Sequence, residues 1–261
     1  MPELPESDAA RRKIADHCLN RTIEGFALGE VSHVELPSEA EREQLVETQF
    51  SATRRHGKYI FAGRKGGPWL HVHLGMSGSF RIYDEGEDAP DYARLTVEFE
   101  GGRRLAFRDP RKFGAVALVP DVDDFIAGKG LGPDAMTIGD NAFASAIGAT
   151  RGAIKSALLN QRKLAGVGNL WSDETLYRCG IMPDVRACDL DTGAVGQLHR
   201  TMQDIMGVVI EKNADYSQLP RDWLIHNRTD GADCPRCGGT ITKKTVGGRT
   251  AYHCPDHQEG A

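Results

Sequence analysis

Four residues near the end of the chain carry the most specific chemical signal. Cys234 and Cys237 form a Cys-x2-Cys knuckle, and after sixteen intervening residues Cys254 and His257 repeat the same two-residue gap. Three thiols and an imidazole in two close pairs form the donor set of a tetrahedral zinc site. With every position filled by protein there is no open place for water, so one structural zinc is expected. His253 is the rival fourth ligand, but it lies directly beside Cys254, whereas His257 keeps the gap of the first knuckle. A chance grouping of these residues near a tail is the alternative, and the regular spacing argues against it.

The remaining cysteines, Cys18, Cys179 and Cys188, are too few and too scattered for a disulfide framework, which agrees with a reducing compartment. The start, MPELPESDAARRKI, is charged early and lacks the apolar core of a signal peptide, and no run elsewhere is long enough to span a membrane. A cytoplasmic protein is expected. A formal net charge of −5 over 261 residues does not by itself favour a nucleic-acid partner. Placement matters more than the sum, and basic residues cluster at 54–58, 103–104, 108–112, 162–163 and 243–249. Each cluster taken alone reads as a solvated face.

The elements that must position these groups change character near residue 120. A short helix entered through Pro5 is predicted from about Glu6 to Cys18. Strand signals follow, clearest at Arg94 to Glu100, where Leu95, Val97 and Phe99 alternate with polar neighbours. Gly101-Gly102 supplies a turn into Arg103 to Phe107, giving an antiparallel hairpin. Lys58 to Ala62, Leu70 to Leu74 and Ala115 to Val119 have strand length too, which suggests a sandwich or barrel. Pro120 to Asp124 reads as an acidic linker into a helical half, with apolar residues at helical spacing over Ala153 to Leu159, Leu170 to Arg178 and Val195 to Ile210. The expectation is an α+β chain in three parts.

Five motifs in order resemble a known family: MPELPE at the start, HLGMSGSF at 73–80, DPRKFGAV at 109–116, LLNQRKLAGVGNLWSDETLY at 158–177, and the cysteine-histidine pairs. Together they resemble the formamidopyrimidine-DNA glycosylase and endonuclease VIII family of base-excision repair enzymes. The resemblance spans the whole chain. It implies an N-terminal helix with a two-sheet β-sandwich as catalytic domain (1–120), a helix-two-turn-helix DNA-binding domain (121–220) and a β-hairpin zinc finger (221–261). It also implies a bifunctional DNA glycosylase and abasic-site lyase that works as a monomer on damaged duplex DNA, near the nucleoid, without organic cofactor. The alternatives are a non-catalytic zinc-containing protein that binds damaged DNA, or a lyase with weak base excision.

The resemblance also assigns residues. With Met1 removed, Pro2 becomes a secondary α-amine. Such amines titrate near 7.7–8, well below lysine, so a useful fraction is neutral and nucleophilic. It would attack the sugar C1′ to form an iminium, and β,δ-elimination would then cut the strand. Glu3 would move protons at the sugar, Glu6 would support the pocket, and Lys58 would reach the flanking phosphate. An enzyme acting at C1′ must extrude its nucleotide and fill the gap, a role implied for Met76, Arg111 and Phe113. Their flanking glycines and Pro110 argue for exposed loop tips, although Met and Phe at ordinary sites are core residues. Asn169 and Arg249 would clamp the backbone.

Three departures bear on what is inherited. His257 stands where the family usually has a fourth cysteine. Ser7-Asp8-Ala9 replaces a commoner Val-Glu-Thr, placing a shorter acid that would alter the pocket wall. The connection from the helix ending near Ile210 to a strand near Trp223 is short, where purine-specific members often carry a long lesion-capping loop. The base class is therefore open.

Overall fold

The computed structural model describes residues 1–30 and 34–259; the last two residues of the expected finger segment lie outside them. The chain folds as two compact units, one of residues 1–2 and 6–129, the other of residues 3–5 and 130–261.

The first unit is built on α1 (Leu4–Cys18), which begins two residues earlier than predicted. Pro5 is tolerated there because first-turn N–H groups have no helical acceptor. Then come β1 (Ile23–Leu28), the short α2 (Glu39–Glu43), β2 (Ala52–His56), β3 (Tyr59–Gly63), β4 (Trp69–His73), β5 (Ser79–Asp84), β6 (Ala93–Phe99), β7 (Arg103–Arg108) and β8 (Ala115–Val119). They form two four-stranded antiparallel sheets, ordered β1-β6-β7-β5 and β2-β3-β4-β8. The period-2 alternation aims Leu95, Val97, Leu105 and Phe107 at Ile60, Leu70, Val72 and Val116 of the other sheet, with Ile14 of α1 in the same core. Gly101 and Gly102 both have positive φ, as the predicted β6–β7 turn requires.

The expected linker at 120–124 is a correction. Helix α3 (Val122–Lys129) starts inside it, because the Asp121 carboxylate accepts the N–H groups of Asp123 and Asp124. Acidic residues at a helix start are capping and dipole partners, so the same composition that suits a solvated connector here begins a helix. Phe125 of α3 covers the outer face of the second sheet beside Tyr59, Phe61 and His71. This second covering explains why β4 is buried on both faces, with His71 under Phe125. Three outward guanidiniums of this unit have carboxylate partners: Arg103 with Asp84 at 2.6 Å, Arg54 with Asp123 at 2.6 Å, Arg104 with Glu85 at 3.5 Å.

The second unit contains α4 (Asp140–Phe143), α5 (Ile154–Leu159), α6 (Asn169–Cys179), α7 (Thr192–Glu211), and a hairpin of β9 (Thr242–Val246) and β10 (Arg249–His253). Its core gathers Phe143, Ile154, Leu158, Trp171, Leu176 and the apolar stripe of α7, and Leu4 belongs to it. The strand expected near Trp223 is absent from the described residues. Trp223 is instead buried edge-on against Trp171, and Leu224–His226 form a 3-10 turn. Its aromatic character reflects core packing, not pairing with a strand. After α7 the chain turns through Asn213 and Ala214, both left-handed, into a short turn capped by Asp215.

Candidate functional site

In the first unit the candidate residues gather at loops. The turn between β2 and β3 carries Lys58, and the Ser7 hydroxyl of α1 donates to the Lys58 carbonyl at 3.3 Å. Lys58 is thereby held beside the N-terminal end of the helix that carries Glu6. His73, at the end of β4, accepts the Gly75 N–H through Nδ1 at 3.2 Å. Burial, then the charges of Lys58 and Lys129, push its pKa down to about 4, so it is neutral at pH 7. Asp8, expected to alter a pocket wall, is engaged by Arg11 at 3.0 Å, Arg12 at 2.8 Å and Arg55 at 3.5 Å. Burial works against its charge, but the Arg11, Arg55 and Arg12 guanidiniums hold the carboxyl below its usual range.

Met76 and Phe113 are among the few large apolar side chains left exposed, at 38% and 58%. The Arg111 guanidinium stands 5.3 Å from the Phe113 ring centre. Their two loops are locked together by the buried Asp109, a residue that sequence reasoning passed over. Its carboxylate accepts the Ser77 hydroxyl and the Gly114 N–H, each at 2.7 Å. Its carbonyl accepts Arg94 Nε at 3.0 Å, and Ser77 Oγ accepts the Arg111 N–H at 3.2 Å. The loops meet so closely that a side chain at Gly75 would overlap the Phe113 backbone, and Gly75 itself has φ of 61°.

In the second unit Glu3 is fully buried at the start of α6. Its carboxylate accepts the N–H groups of Gly168 at 2.8 Å, Leu170 at 2.8 Å and Trp171 at 3.2 Å. These are orphan donors of a helix N-terminus, where the dipole also favours negative charge. The Gly166-to-Asn169 turn that presents them is stapled by Gln161, which donates to the Val167 carbonyl at 2.7 Å and accepts the Gly166 N–H at 2.9 Å. Asn169 is the first residue of α6, and its side-chain oxygen is buried without a protein partner.

Arg249 opens β10 and is exposed. The hairpin that carries it is mounted on α6 by a buried charge cluster. Asp173 pairs with Lys155 of α5, accepts Arg228 at 2.7 Å, and accepts the Tyr252 N–H at 3.2 Å. Lys155 also donates to the Thr250 carbonyl at 3.0 Å, next to Arg249. The residue after Asp173, Glu174, accepts the N–H groups of Leu224 and Ile225 through its carboxylate. Burial raises its pKa to about 7. Neither acid was singled out in the sequence, where both look like ordinary solvent-facing residues of a helix.

The predicted ligands converge beyond the strands. Donor atoms of Cys234, Cys237, Cys254 and His257 all lie within 4.8 Å of one another. Cys237 Sγ is 3.5 Å from Cys254 Sγ, and Cys234 Sγ is 3.6 Å from His257 Nδ1. Ligands about 2.0–2.3 Å from a tetrahedral zinc stand roughly 3.5–3.8 Å apart, so the set fits. His257 Nε2–H donates to the Tyr177 carbonyl at 3.2 Å, which leaves Nδ1 with its lone pair toward the thiols. His253 is not in this group; its Nε2 lies 3.3 Å from Thr242 Oγ1.

The sequence matches the description "Formamidopyrimidine-DNA glycosylase N-terminal domain" over residues 1–116 and "Formamidopyrimidine-DNA glycosylase H2TH domain" over residues 130–220. It is 34% identical over 285 residues to the formamidopyrimidine-DNA glycosylase of Gluconobacter oxydans, covering 99% of this chain and 100% of that one. To the Geobacter metallireducens enzyme of the same name it is 32% identical over 276 residues, covering 98% of each. The fold is similar to that of the Lactococcus lactis enzyme non-covalently bound to DNA containing an abasic site, with a TM-score of 0.87 at 26% identity over 98% of this chain and 99% of that one. It also resembles MutM in complex with DNA containing carbocyclic 8-oxo-G, with a TM-score of 0.87 at 26% identity over 99% of this chain and 100% of that one. The sandwich, the helical unit with its hairpin, and the loops they carry define a DNA glycosylase. The chain belongs to the formamidopyrimidine-DNA glycosylase family.

Proposed function

We propose that the chain excises oxidised bases from duplex DNA and cuts the strand at the resulting abasic site, with the amine of Pro2 as nucleophile. The observation that supports this best is the seating of Glu3. Three backbone N–H groups of the Gly168-to-Trp171 segment hold the carboxylate of the residue that follows the nucleophile. Residue 2 is thus tethered by one peptide to a buried anchor, the kind of pre-organisation that a covalent step needs. Once Met1 is removed, the Pro2 nitrogen bonds to C1′ and the base leaves with its bonding electrons and the amine proton; the C1′–O4′ bond then breaks, O4′ takes up a proton, and the nitrogen lone pair closes the iminium. The resulting iminium acidifies C2′, so loss of a proton there expels the 3′ phosphate, and a second elimination expels the 5′ phosphate.

The other residues take supporting roles. The Glu3 carboxylate transfers protons at the sugar and stabilises the cation beside it, and Glu6 supports the same pocket. Lys58 binds the phosphate flanking the lesion. Met76 and Phe113 replace the stacking lost when the nucleotide is extruded, and Arg111 hydrogen-bonds the orphaned base. Asn169 and Arg249 clamp the backbone from the helical segment (121–220) and the finger (221–261), while residues 1–120 carry the chemistry. Cys234, Cys237, Cys254 and His257 hold one structural zinc, whose closed shell supplies folding energy to the hairpin that carries Arg249. The protein acts as a monomer.

The test is borohydride reduction in the presence of an abasic duplex, with protein whose Met1 has been removed. A covalent adduct on Pro2 is expected; its absence refutes the reading and leaves a protein that binds damage without chemistry. Side-by-side duplexes with 8-oxoguanine, formamidopyrimidine, thymine glycol, 5-hydroxycytosine or a plain abasic site then assign the base class. Strand cleavage confined to the abasic duplex would identify a lyase alone.

A further inference from the structure

We propose that Tyr177 is a positioning residue for the metal site, bracing two of the four ligands from helix α6. The inference rests on the zinc reading above. Tyr177 is buried, and its hydroxyl lies 3.2 Å from Cys234 Sγ. A phenol taken out of water needs a partner, and its nearest one is a metal-ligating sulfur. When a metal displaces the thiol proton, the sulfur can only accept, so the phenol O–H donates to the thiolate. The same residue's carbonyl accepts His257 Nε2–H at 3.2 Å, and its ring stands edge-on to the imidazole, 4.7 Å between centres. One residue therefore orients a sulfur through its side chain and an imidazole through its backbone.

The brace extends to the first knuckle. Arg236, between Cys234 and Cys237, donates to the carbonyls of Tyr177 at 3.4 Å and Arg178 at 3.0 Å. Tyr177 also shares a small core with Leu224, Ile241, Cys234 and Cys254. Helix α6 is thus fastened to the metal site at this end, while its first turn receives Glu3 at Leu170, about 10 Å away at 1.5 Å per residue. Partners of this kind, outside the ligands themselves, commonly change metal affinity by about 10–100-fold. The hydroxyl also lowers the energy of the thiolate electron pair, so its removal alters the electronic spectrum of a bound metal.

The experiment compares full-length wild type with Tyr177→Phe, each loaded with zinc or cobalt(II). In the variant, zinc transfer to the chelator 4-(2-pyridylazo)resorcinol is expected to be faster, with affinity about 10–100-fold weaker. Its thiolate-to-cobalt charge-transfer band should move to lower energy, a readout that loss of packing alone would not produce. Site-specific replacement of Tyr177 by 3-fluorotyrosine, a more acidic phenol, should move the band the opposite way. That measurement decides the matter if the phenylalanine variant folds poorly. Unchanged bands and release rates in both overturn the proposal. Failure of the wild type to take up either metal refutes the zinc reading itself, a distinct outcome.

Discussion

The carboxylate of Glu3 accepts a hydrogen bond from the backbone N–H of Gly168, a residue 165 positions further along the chain. Gly168 is extended, at φ −128° and ψ −164°, so any residue could adopt its backbone. What excludes a side chain is space, because a methyl group there would overlap the Glu3 carboxyl. Gly168→Ala is therefore expected to slow covalent trapping by roughly 10²-fold through misplacement of residue 2, with affinity for undamaged duplex retained. A normal trapping rate in single-turnover assays would show that the anchor is not needed.

The wedge loops depend on one carboxylate. In Asp109→Asn the amide oxygen can keep the Gly114 N–H, but the NH2 then faces Ser77 Oγ, whose hydroxyl proton loses its acceptor. A buried donor left without its acceptor costs about 1–3 kcal/mol. Extrusion of the lesion, followed by 2-aminopurine fluorescence in the duplex, should weaken about tenfold at that cost, and binding to intact duplex should not. Equal fluorescence amplitude in variant and wild type would remove Asp109 from the wedge.

Asp173 neutralises a lysine with no exposed side chain. Burial lowers the Lys155 pKa even with Asp173 beside it. Asp173→Asn should lower the unfolding free energy by about 3–5 kcal/mol, measured by urea titration. Adding Lys155→Met removes the stranded charge and should recover much of the loss. A double variant no more stable than the single one would contradict this account.

His71 supplies a pH dependence. It is buried between Tyr59, Phe61 and Phe125, and burial, then His73 and Lys129, push its pKa down from 6.5 to about 3. The unfolded chain binds a proton that the folded chain refuses, so stability present above pH 6.5 is lost as pH falls toward 3, by up to about 1.4 kcal/mol per pH unit. His71→Phe should flatten that limb in thermal melts between pH 7 and 4. Parallel stability curves for the two proteins would refute the assignment.

Much of the architecture was legible because the core obeys simple periods. The β6–β7 hairpin, β8 and α5 to α7 lie within a residue or three of their predicted bounds, since burial on one face enforces the alternation. Strands β1, β2 and β5 were not seen. β2, with its Arg54-Arg55-His56 run, has no buried residue, so nothing apolar marks it, and β1 and β5 are only partly buried. The four metal ligands were readable because coordination fixes sequence gaps. Asp109, Asp173, Glu174 and Tyr177 were not, because each works through partners distant in sequence or through backbone groups that carry no side-chain signature.

The paired guanidiniums on the sandwich have a consequence for search along the genome. Arg103, Arg104 and Arg54 already have carboxylate partners, so few of them are available to displace condensed cations from a duplex. These three should then add little to the fall of DNA affinity with added salt, whose slope counts phosphates neutralised and is left to contacts such as those proposed for Lys58 and Arg249. A protein that releases few counterions on contact also leaves easily, and can sample many base pairs between rare lesions before it commits.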